Sequence, residues 1–387
     1  MTRILIIGIG NPVPSFIHRR LNALIGAGIK VTAVAEHDQR FELKGASIIP
    51  LGGQQNLLSK LRSIIYVLAN PAIFFRMLSA RTELSFAQRL RWAVKYFPLA
   101  RIANPDVIHI QWLSAVPEFQ WLRSFFTCPI MASARGSQVT VYPITRLGYK
   151  AIIEKAIQSV DYIHCVSHDI AMVCRKLGAA DEKLVVNYNG IDLQHFYPLT
   201  AQKIHTHFTI ISVGALMWRK GYLYQLQLLE RLRDAGRDVH LLWIGDGPDR
   251  EALQYQAAKL GVANRITFVG KVKSDELPAW LAKADVFVST SFAEGLANSV
   301  VEAAACGLPV VTFACEGMEE VLKPGVNGFI LPFGDVVGLA DRMQYLMDHP
   351  EERNKMAVAA RHTIENKFDE HQWVLSMVKT YESLERK

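Results

Sequence analysis

Short apolar runs without polar alternation recur along this chain, each bounded by turn residues and separated from the next by a helical pattern. A strand with one wet face alternates apolar and polar side chains, whereas a strand covered on both faces does not; such runs with helices between them predict parallel sheets. The first set lies at Ile4 to Gly8, Val31 to Ala35, Ile48 to Leu51, Val107 to Ile110, Ile130 to Ala134 and Ile163 to Val166, with a helix over Phe16 to Ala27. The second lies at Phe208 to Val213, Val239 to Ile244, Ile266 to Val269, Val286 to Ser289 and Val310 to Phe313. Its helices are Tyr222 to Ala235, Asp249 to Lys259 and Ser299 to Cys306. The pattern predicts an α/β chain of two doubly wound domains. A length of 387 residues agrees, being long for a single core. The polar stretch Pro198 to His207 separates the sets, giving domains over residues 1–200 and 201–367 and a tail over 368–387. In that tail Trp373, Val374, Met377, Val378 and Tyr381 stand at helical spacing.

With 50% hydrophobic and 20% charged residues the chain has no disordered character. No run reaches the roughly 18 to 20 apolar residues of a membrane span, and the nearest, Ile64 to Phe75, is broken by Asn70 and Pro71. Arg3 with Ile4 to Gly10 is too short for a signal peptide and ends in Gly-Asn-Pro, which predicts the first strand of a cytoplasmic protein. Cys128, Cys165, Cys174, Cys306 and Cys315 are odd in number and scattered, predicting reduced, mostly buried thiols. His164 and His168 flank Cys165 without an acidic helix partner, so they read as satisfied polar residues, and no metal is expected.

The net charge of +7 is concentrated in the first half. Lys60, Arg62, Arg76, Arg81, Arg89, Arg91, Lys95 and Arg101 face one acid, Glu83, among Tyr66, Phe74, Phe75, Phe86, Trp92, Tyr96 and Phe97. Cations meeting anionic lipid heads while aromatic rings dip below them fit a peripheral contact with the inner face of the cell membrane. A solvated helical face over an ordinary core is the alternative. Nucleic acid is disfavoured, since no helix-turn-helix, finger or RNP pattern is present.

The most informative segment is FAEGLANSVVEAAACGLPVV, Phe292 to Val311. With DVFVST before it and LPVVTFA closing it, this reads as strand, loop, helix, strand, a βαβ unit. Glu294 falls outside the carboxyl end of a strand, where ligands of such units bind, and the helix behind it offers N–H groups and a positive dipole end to an anion. Ser299 with Glu302 reads equally as a capping box, and Gly307 with Pro309 as the helix stop. Neither explains Glu294.

This segment resembles the glutamate-pair signature of retaining nucleotide-sugar glycosyltransferases of family 4, which have the GT-B fold. The resemblance extends over ISVGALMWRKGY (211–222), the donor-phosphate loop, LWIGDGP (242–248), a second glycine turn, ITFVGKV (266–272), the base-side strand, VNGFILP (326–332) and NGID (189–192). Toward the N-terminus it thins to DVIHIQW (106–112) and the turn at Arg135 and Gly136. The implied architecture is two Rossmann-like domains facing across a cleft that holds the site, with the final helix crossing back onto the first domain.

The resemblance implies that Glu294 attends the donor sugar, as nucleophile or as electrostatic stabiliser, and that Glu302 accepts from the ribose hydroxyls. It places Gly214, Arg219, Lys220, Gly245, Val269, Lys271, Gly295, Leu296, Ala297, Asn298 and Ser299 around the donor, and Ser15, His109, Arg135 and Gly136 on the acceptor side. Sugar transfer from a nucleoside diphosphate develops positive charge at the anomeric carbon and releases a dianion, so the site must neutralise phosphate while positioning sugar. Lys220 as a point charge and Arg219 as a planar fork suit this without a metal or any cofactor. Gly245 and Gly247 read equally as a tight strand-to-helix turn. GIGNP lacks the third glycine of a dinucleotide fingerprint, having Val13 there, and reads as an acceptor-side loop.

Three positions depart from the family pattern. Ala215 replaces an arginine after the glycine of the phosphate loop, Arg135 stands where a histidine is common, and Gln111 where a second histidine often follows His109. Arginine is no base at neutral pH, so Arg135 points to sugar or phosphate contact. His109 either lines the acceptor cleft or simply ends its strand. The resulting expectation is a retaining, metal-independent glycosyltransferase moving a hexose from a nucleoside-diphosphate sugar to a cell-surface polysaccharide or lipid-linked oligosaccharide. A nucleotide-sugar-binding protein without catalysis and a nicotinamide-dependent oxidoreductase are the alternatives.

Overall fold

A computed structural model describes residues 1–10, 13–36, 43–51, 69–199 and 207–385. Lys60, Arg62 and Tyr66 of the basic aromatic stretch, and most of the expected interdomain stretch, lie outside the described residues. The chain divides into two compact units, one of Met1–Cys165, Ala171–Asn187 and Val374–Lys387, the other of Val166–Ile170 and Tyr188–Trp373.

The first unit is built on a parallel sheet of seven strands: β1 (Arg3–Ile7), β2 (Lys30–Glu36), β3 (Ser47–Leu51), β4 (Val107–Ile110), β5 (Ile130–Ala134), β6 (Tyr162–Cys165) and β7 (Leu184–Val186). Their spatial order is β3-β2-β1-β4-β5-β6-β7. Every residue of β4 and β5 is buried, which is why these strands show no alternation in sequence. The second unit has six parallel strands: β8 (Phe208–Val213), β9 (Val239–Ile244), β10 (Ile266–Gly270), β11 (Val286–Ser289), β12 (Val310–Phe313) and β13 (Gly328–Leu331). Their order, β10-β9-β8-β11-β12-β13, repeats the doubly wound pattern.

In each sheet the order reverses between the first strand and the fourth. That gives one switch point at β1/β4 and another at β8/β11, where the loops leaving the carboxyl ends diverge to opposite faces. All runs expected from the sequence are strands; β7 and β13 are additional. Both are sheet edges with half-buried side chains, β7 is three residues long, and β13 opens on a glycine, so neither carries a strong apolar signal.

The final helix, Glu370–Glu385, buries Trp373, Val374, Met377, Tyr381 and Leu384 on one face. It starts in the second compact unit and from Val374 onward belongs to the first, as the GT-B pattern implies. The NGID turn seats its start: Ile191 N–H donates to Phe368 O at 2.7 Å, and Glu370 N–H to Ile191 O at 3.0 Å. Among the described residues all five cysteines are free thiols, three of them buried. Burial pushes the Cys128 thiol up to about 11 and that of Cys306 to about 12, so neither is a thiolate at neutral pH.

Candidate functional site

At the β8/β11 switch point two loops meet. Residues 214–221 leave β8 through a turn of 3-10 helix, Trp218–Lys220, and enter the helix Tyr222–Asp234; residues 290–297 leave β11 and enter the helix Asn298–Ala305. They are joined backbone to backbone, Phe292 N–H donating to Arg219 O at 2.8 Å. The Thr290 hydroxyl lies 3.0 Å from both the Lys220 and the Gly221 carbonyl oxygens. Gly221 has φ +64, and a Cβ there would stand 2.0 Å from Thr290 O, so the approach requires glycine.

Beneath this junction lies a closed polar node. Gln225 donates to Ser212 Oγ at 3.1 Å and to Thr290 Oγ1 at 3.0 Å, and accepts from Trp243 Nε1 at 2.6 Å. Gln225, Ser212, Thr290 and Trp243 are all buried. Every donor and acceptor of the Gln225 amide is thereby engaged, so the node fixes the loops rather than straining them. Sequence reading missed it, since a glutamine in a helix carries no signal before its tertiary neighbours are known.

The junction brings Lys220 to Glu294, with Nζ 2.6 Å from Oε1 and side-chain exposures of 22% and 15%. Arg219 lies beside them, half-buried, its Nη2 3.4 Å from the Met217 sulfur. Gly214 leaves room for the Lys220 stem. Gly295, Leu296 and Ala297 are buried, and the 292–297 loop is pinned by Ser167, whose hydroxyl donates to Gly295 O at 2.7 Å. Ser167 was not singled out from the sequence; it is far along the chain and has no motif.

The helix behind Glu294 has Ala297 as its N-cap and no side-chain cap. This corrects the capping-box reading of Ser299 and Glu302: both lie inside the helix, whose N-cap is Ala297, two residues earlier than the box requires. Asn298 is held by Asn189 Nδ2 at 3.0 Å, and the first-turn N–H groups have no side-chain competitor for an anion. Glu302 lies one turn in, half-buried. Glu316, near Glu294, is raised above the usual carboxylate range, by burial first and also by the charges of Asp169 and Glu294.

Gly245 takes a different place. Its N–H donates to Gly270 O at 2.8 Å and a Cβ would stand 1.9 Å from Gly214 O, so the glycine turn serves close packing of β9's exit against the loop that leaves β8. Val269 is half-buried on the edge strand β10, with Lys271 exposed just after it.

The acceptor-side candidates lie in the first unit, around its β1/β4 switch point. Ser15 opens the helix Ser15–Gly26. His109 is buried at 2% exposure, with Nδ1 2.7 Å from Tyr381 Oη and Nε2 2.8 Å from Ser133 Oγ. His109 lies within β4, one residue before its end, with both ring nitrogens engaged by the protein. His164 is likewise satisfied, between Ser133 Oγ at 2.9 Å and Asn187 O at 2.9 Å. Burial, and next the Arg135 charge for His109 and the Arg20 charge for His164, hold both imidazoles well below their ordinary range.

The bonding order follows from that neutrality. His164 must give its one N–H to the Asn187 carbonyl, so its Nδ1 accepts from Ser133; Ser133 then accepts from His109 Nε2–H, and His109 Nδ1 accepts from the Tyr381 hydroxyl. Arg135, after β5 and next to Gly136 at φ +39, donates from Nε to Gln111 O at 3.2 Å. Its Nη2 reaches Gln111 Oε1 at 2.9 Å and Ser133 Oγ at 3.2 Å.

The chain is similar to known glycosyltransferases. The family model described as "Glycosyltransferase Family 4" matches residues 13–195, and that described as "Glycosyl transferases group 1" matches residues 200–363. The lipopolysaccharide core biosynthesis glycosyltransferase LpsE of Rhizobium meliloti is 28% identical over 284 residues, covering 72% of this chain and 76% of that protein. Sucrose-phosphate synthase from Thermosynechococcus elongatus superposes with a TM-score of 0.80 at 18% identity, covering 99% of each chain. HepE of Anabaena, solved with UDP and glucose, superposes with a TM-score of 0.74 at 18% identity, covering 99% of this chain and 100% of that one.

Proposed function

This chain is a glycosyltransferase that belongs to family 4 and has the GT-B fold, and from that premise we propose that it transfers a hexose from a nucleoside-diphosphate sugar with retention of configuration. The observation that carries the reading is the meeting of Lys220 and Glu294 at the β8/β11 switch point, in front of a helix start with no side-chain cap. A cation and a carboxylate so placed can divide the two charges that transfer creates.

In the proposed reaction the bond from the anomeric carbon to the diphosphate breaks, and a bond from that carbon to an acceptor hydroxyl oxygen forms on the same face. The acceptor proton leaves with the departing phosphate. Lys220, Arg219 and the N–H groups of Asn298 and Ser299 neutralise the diphosphate; Glu294 stabilises positive charge at the sugar; Glu302 accepts from the ribose hydroxyls. The proposed roles require no metal or cofactor, so a chelator is expected to leave turnover unchanged. The oxidoreductase alternative needs a full glycine fingerprint, which Gly8, Gly10 and Val13 do not supply. Loss of catalysis would leave no reason to keep Glu294 against Lys220.

For the acceptor we propose a cell-surface polysaccharide or lipid-linked oligosaccharide, in line with the lipopolysaccharide core role named for LpsE. A peripheral contact with anionic membrane at the cytoplasmic face accompanies it. Phe75 and Phe86 are 68% and 66% exposed on the helices Pro71–Ser79 and Phe86–Ala100, which also carry Arg76, Arg89, Arg91 and Lys95. No helix among the described residues is long and apolar enough to cross a membrane.

A panel of radiolabelled nucleotide sugars, offered with and without membrane extract, tests the function directly. Transfer of a hexose with the donor's anomeric configuration is expected; release of label to water alone, or none, overturns it. Sedimentation with anionic vesicles that weakens with salt tests the membrane contact.

A further inference from the structure

We propose that Arg135, backed by Gln138, reads a negatively charged substituent, a carboxylate or a phosphate ester, on a saccharide substrate of this enzyme. The proposal rests on the glycosyltransferase reading above and narrows its substrate class.

Arg135 is 8% exposed, and its Nη1 is buried with no hydrogen-bond partner. A buried guanidinium is stable only when its charge is met, and leaving one edge empty forfeits charge-assisted bonds that water would have made. The groups that engage it do not meet that charge. Gln111 offers a carbonyl and an amide oxygen, and Ser133 a hydroxyl already shared with His109 and His164. Both histidines are neutral, and Tyr381 is pushed above the usual phenol range by burial. Arg135 itself is held below its ordinary range by burial and then by Arg20, with the phenol of Tyr381 acting the other way and no carboxylate among the causes. Arg135 is therefore a cation, with Arg20 near it, in a polar shell that no carboxylate neutralises among the described residues.

A second orphan points the same way. Gln138, three residues on and 4% exposed, uses its Oε1 to accept from Ser114 N–H at 3.2 Å, while its Nε2 is buried and unpartnered. A group that met the Arg135 edge would have to accept from it and carry negative charge, which describes an oxyanion and not a sugar hydroxyl; the Gln138 amide, three residues on, is a second unpaired donor in the same segment. The location is also that of a ligand site. Arg135 and Gln138 follow β5 at its carboxyl end, next to the β1/β4 switch point, and Arg135 grips Gln111 at the exit of β4. Its guanidinium carbon lies 5.3 Å from the Phe16 ring centre and 5.8 Å from that of Trp112, two partly exposed rings that roof it.

The test is ligand-observed saturation-transfer NMR with methyl glucuronoside, glucose 6-phosphate and methyl glucoside at matched ionic strength. At least one anionic probe is expected to bind roughly tenfold or more tightly than the neutral sugar, the gain of one charge-assisted contact. The stronger of the two distinguishes carboxylate from phosphate. R135M should erase the preference, R135K should keep part of it, and Q138L should weaken it. Equal binding of all three probes by wild type, or binding of none, overturns the proposal whether or not R135M folds. So does an anion preference that survives in folded R135M. UDP and GDP affinities are read on the same preparation: protein that binds either without distinguishing the probes loses this inference alone, and protein that distinguishes them without binding UDP or GDP loses the donor reading.

Discussion

Lys220 Nζ lies 2.6 Å from Glu294 Oε1, although the two residues are 74 apart in the chain. In the absence of donor each is the other's counter-charge. A diphosphate arriving at Lys220 and a sugar arriving at Glu294 must therefore share or break this contact, which couples occupancy of one subsite to the other.

That coupling makes the two single substitutions differ. Lys220→Ala removes a phosphate contact and strands a partly buried carboxylate, so UDP or GDP affinity should fall by about 1.5 to 3 kcal/mol. Glu294→Gln frees the lysine, and nucleoside diphosphate should bind as well as before or better while transfer is nearly abolished. Calorimetry with the free diphosphates reads both, and an equal loss of affinity in the two variants would sink the assignment.

Glu302 gives a sharper test because the helix is capped at Ala297 by backbone alone. Glu302→Ala should weaken nucleotide binding by about 1 to 3 kcal/mol through lost ribose bonds and shift the melting temperature by no more than a few degrees. A large drop in melting temperature with unchanged affinity would return the residue to a purely structural role.

Gly221→Ala is expected to disable the donor site from the backbone. The added Cβ meets Thr290 O at 2.0 Å and the residue is forced to keep φ +64, so the loops must part. Strain at such a position costs on the order of 1 to 3 kcal/mol before the clash is counted. Donor affinity falling together with melting temperature is the expected result; an alanine variant with wild-type affinity contradicts the junction.

Tyr381→Phe tests the order of the buried chain through His109. The variant leaves His109 Nδ1 as an acceptor with no donor, costing about 1 to 3 kcal/mol of stability. Since Tyr381 lies on the final helix, amide exchange should rise along residues 374–385 before it rises in β4. Uniform loosening of the whole first unit would argue against it.

Acid should loosen the same region. Both His109 and His164 have folded pKa values depressed below the ordinary 6.5, so below that pH the unfolded chain binds protons that the folded chain does not. Stability is fully present above about 6.5 and declines as pH falls, by up to roughly 2.7 kcal/mol per pH unit for two groups. Denaturant unfolding between pH 7.5 and 5 measures the slope; a flat profile would mean that neither imidazole is depressed in the fold, and about half the slope that only one is.

Most strands of the fold were legible because burial on both faces writes itself as unbroken apolar runs, as in Val107 to Ile110. The edge strands β7 and β13 were not, because half-buried side chains leave composition close to that of a loop. At the site, the spacing of Glu294 and Glu302 and the glycines around Lys220 could be read as a motif. The capping box could not be judged from spacing alone: with the helix capped two residues earlier, at Ala297, Ser299 is a member of the first turn and not its cap.

The sequence by itself determined the two doubly wound sheets, the loops that carry charge and the final amphipathic helix, because periodicity and turn residues act locally. Tertiary structure alone decided which of those residues meet. It set Lys220 against Glu294, tied Ser167 to Gly295, drew Gln225 under both loops and sealed His109 away with Tyr381. It also decided that Arg135 is left with an unanswered edge. Such pairings depend on strand order, and strand order comes from how the helices pack on the two faces of a sheet, a global property that no single segment encodes.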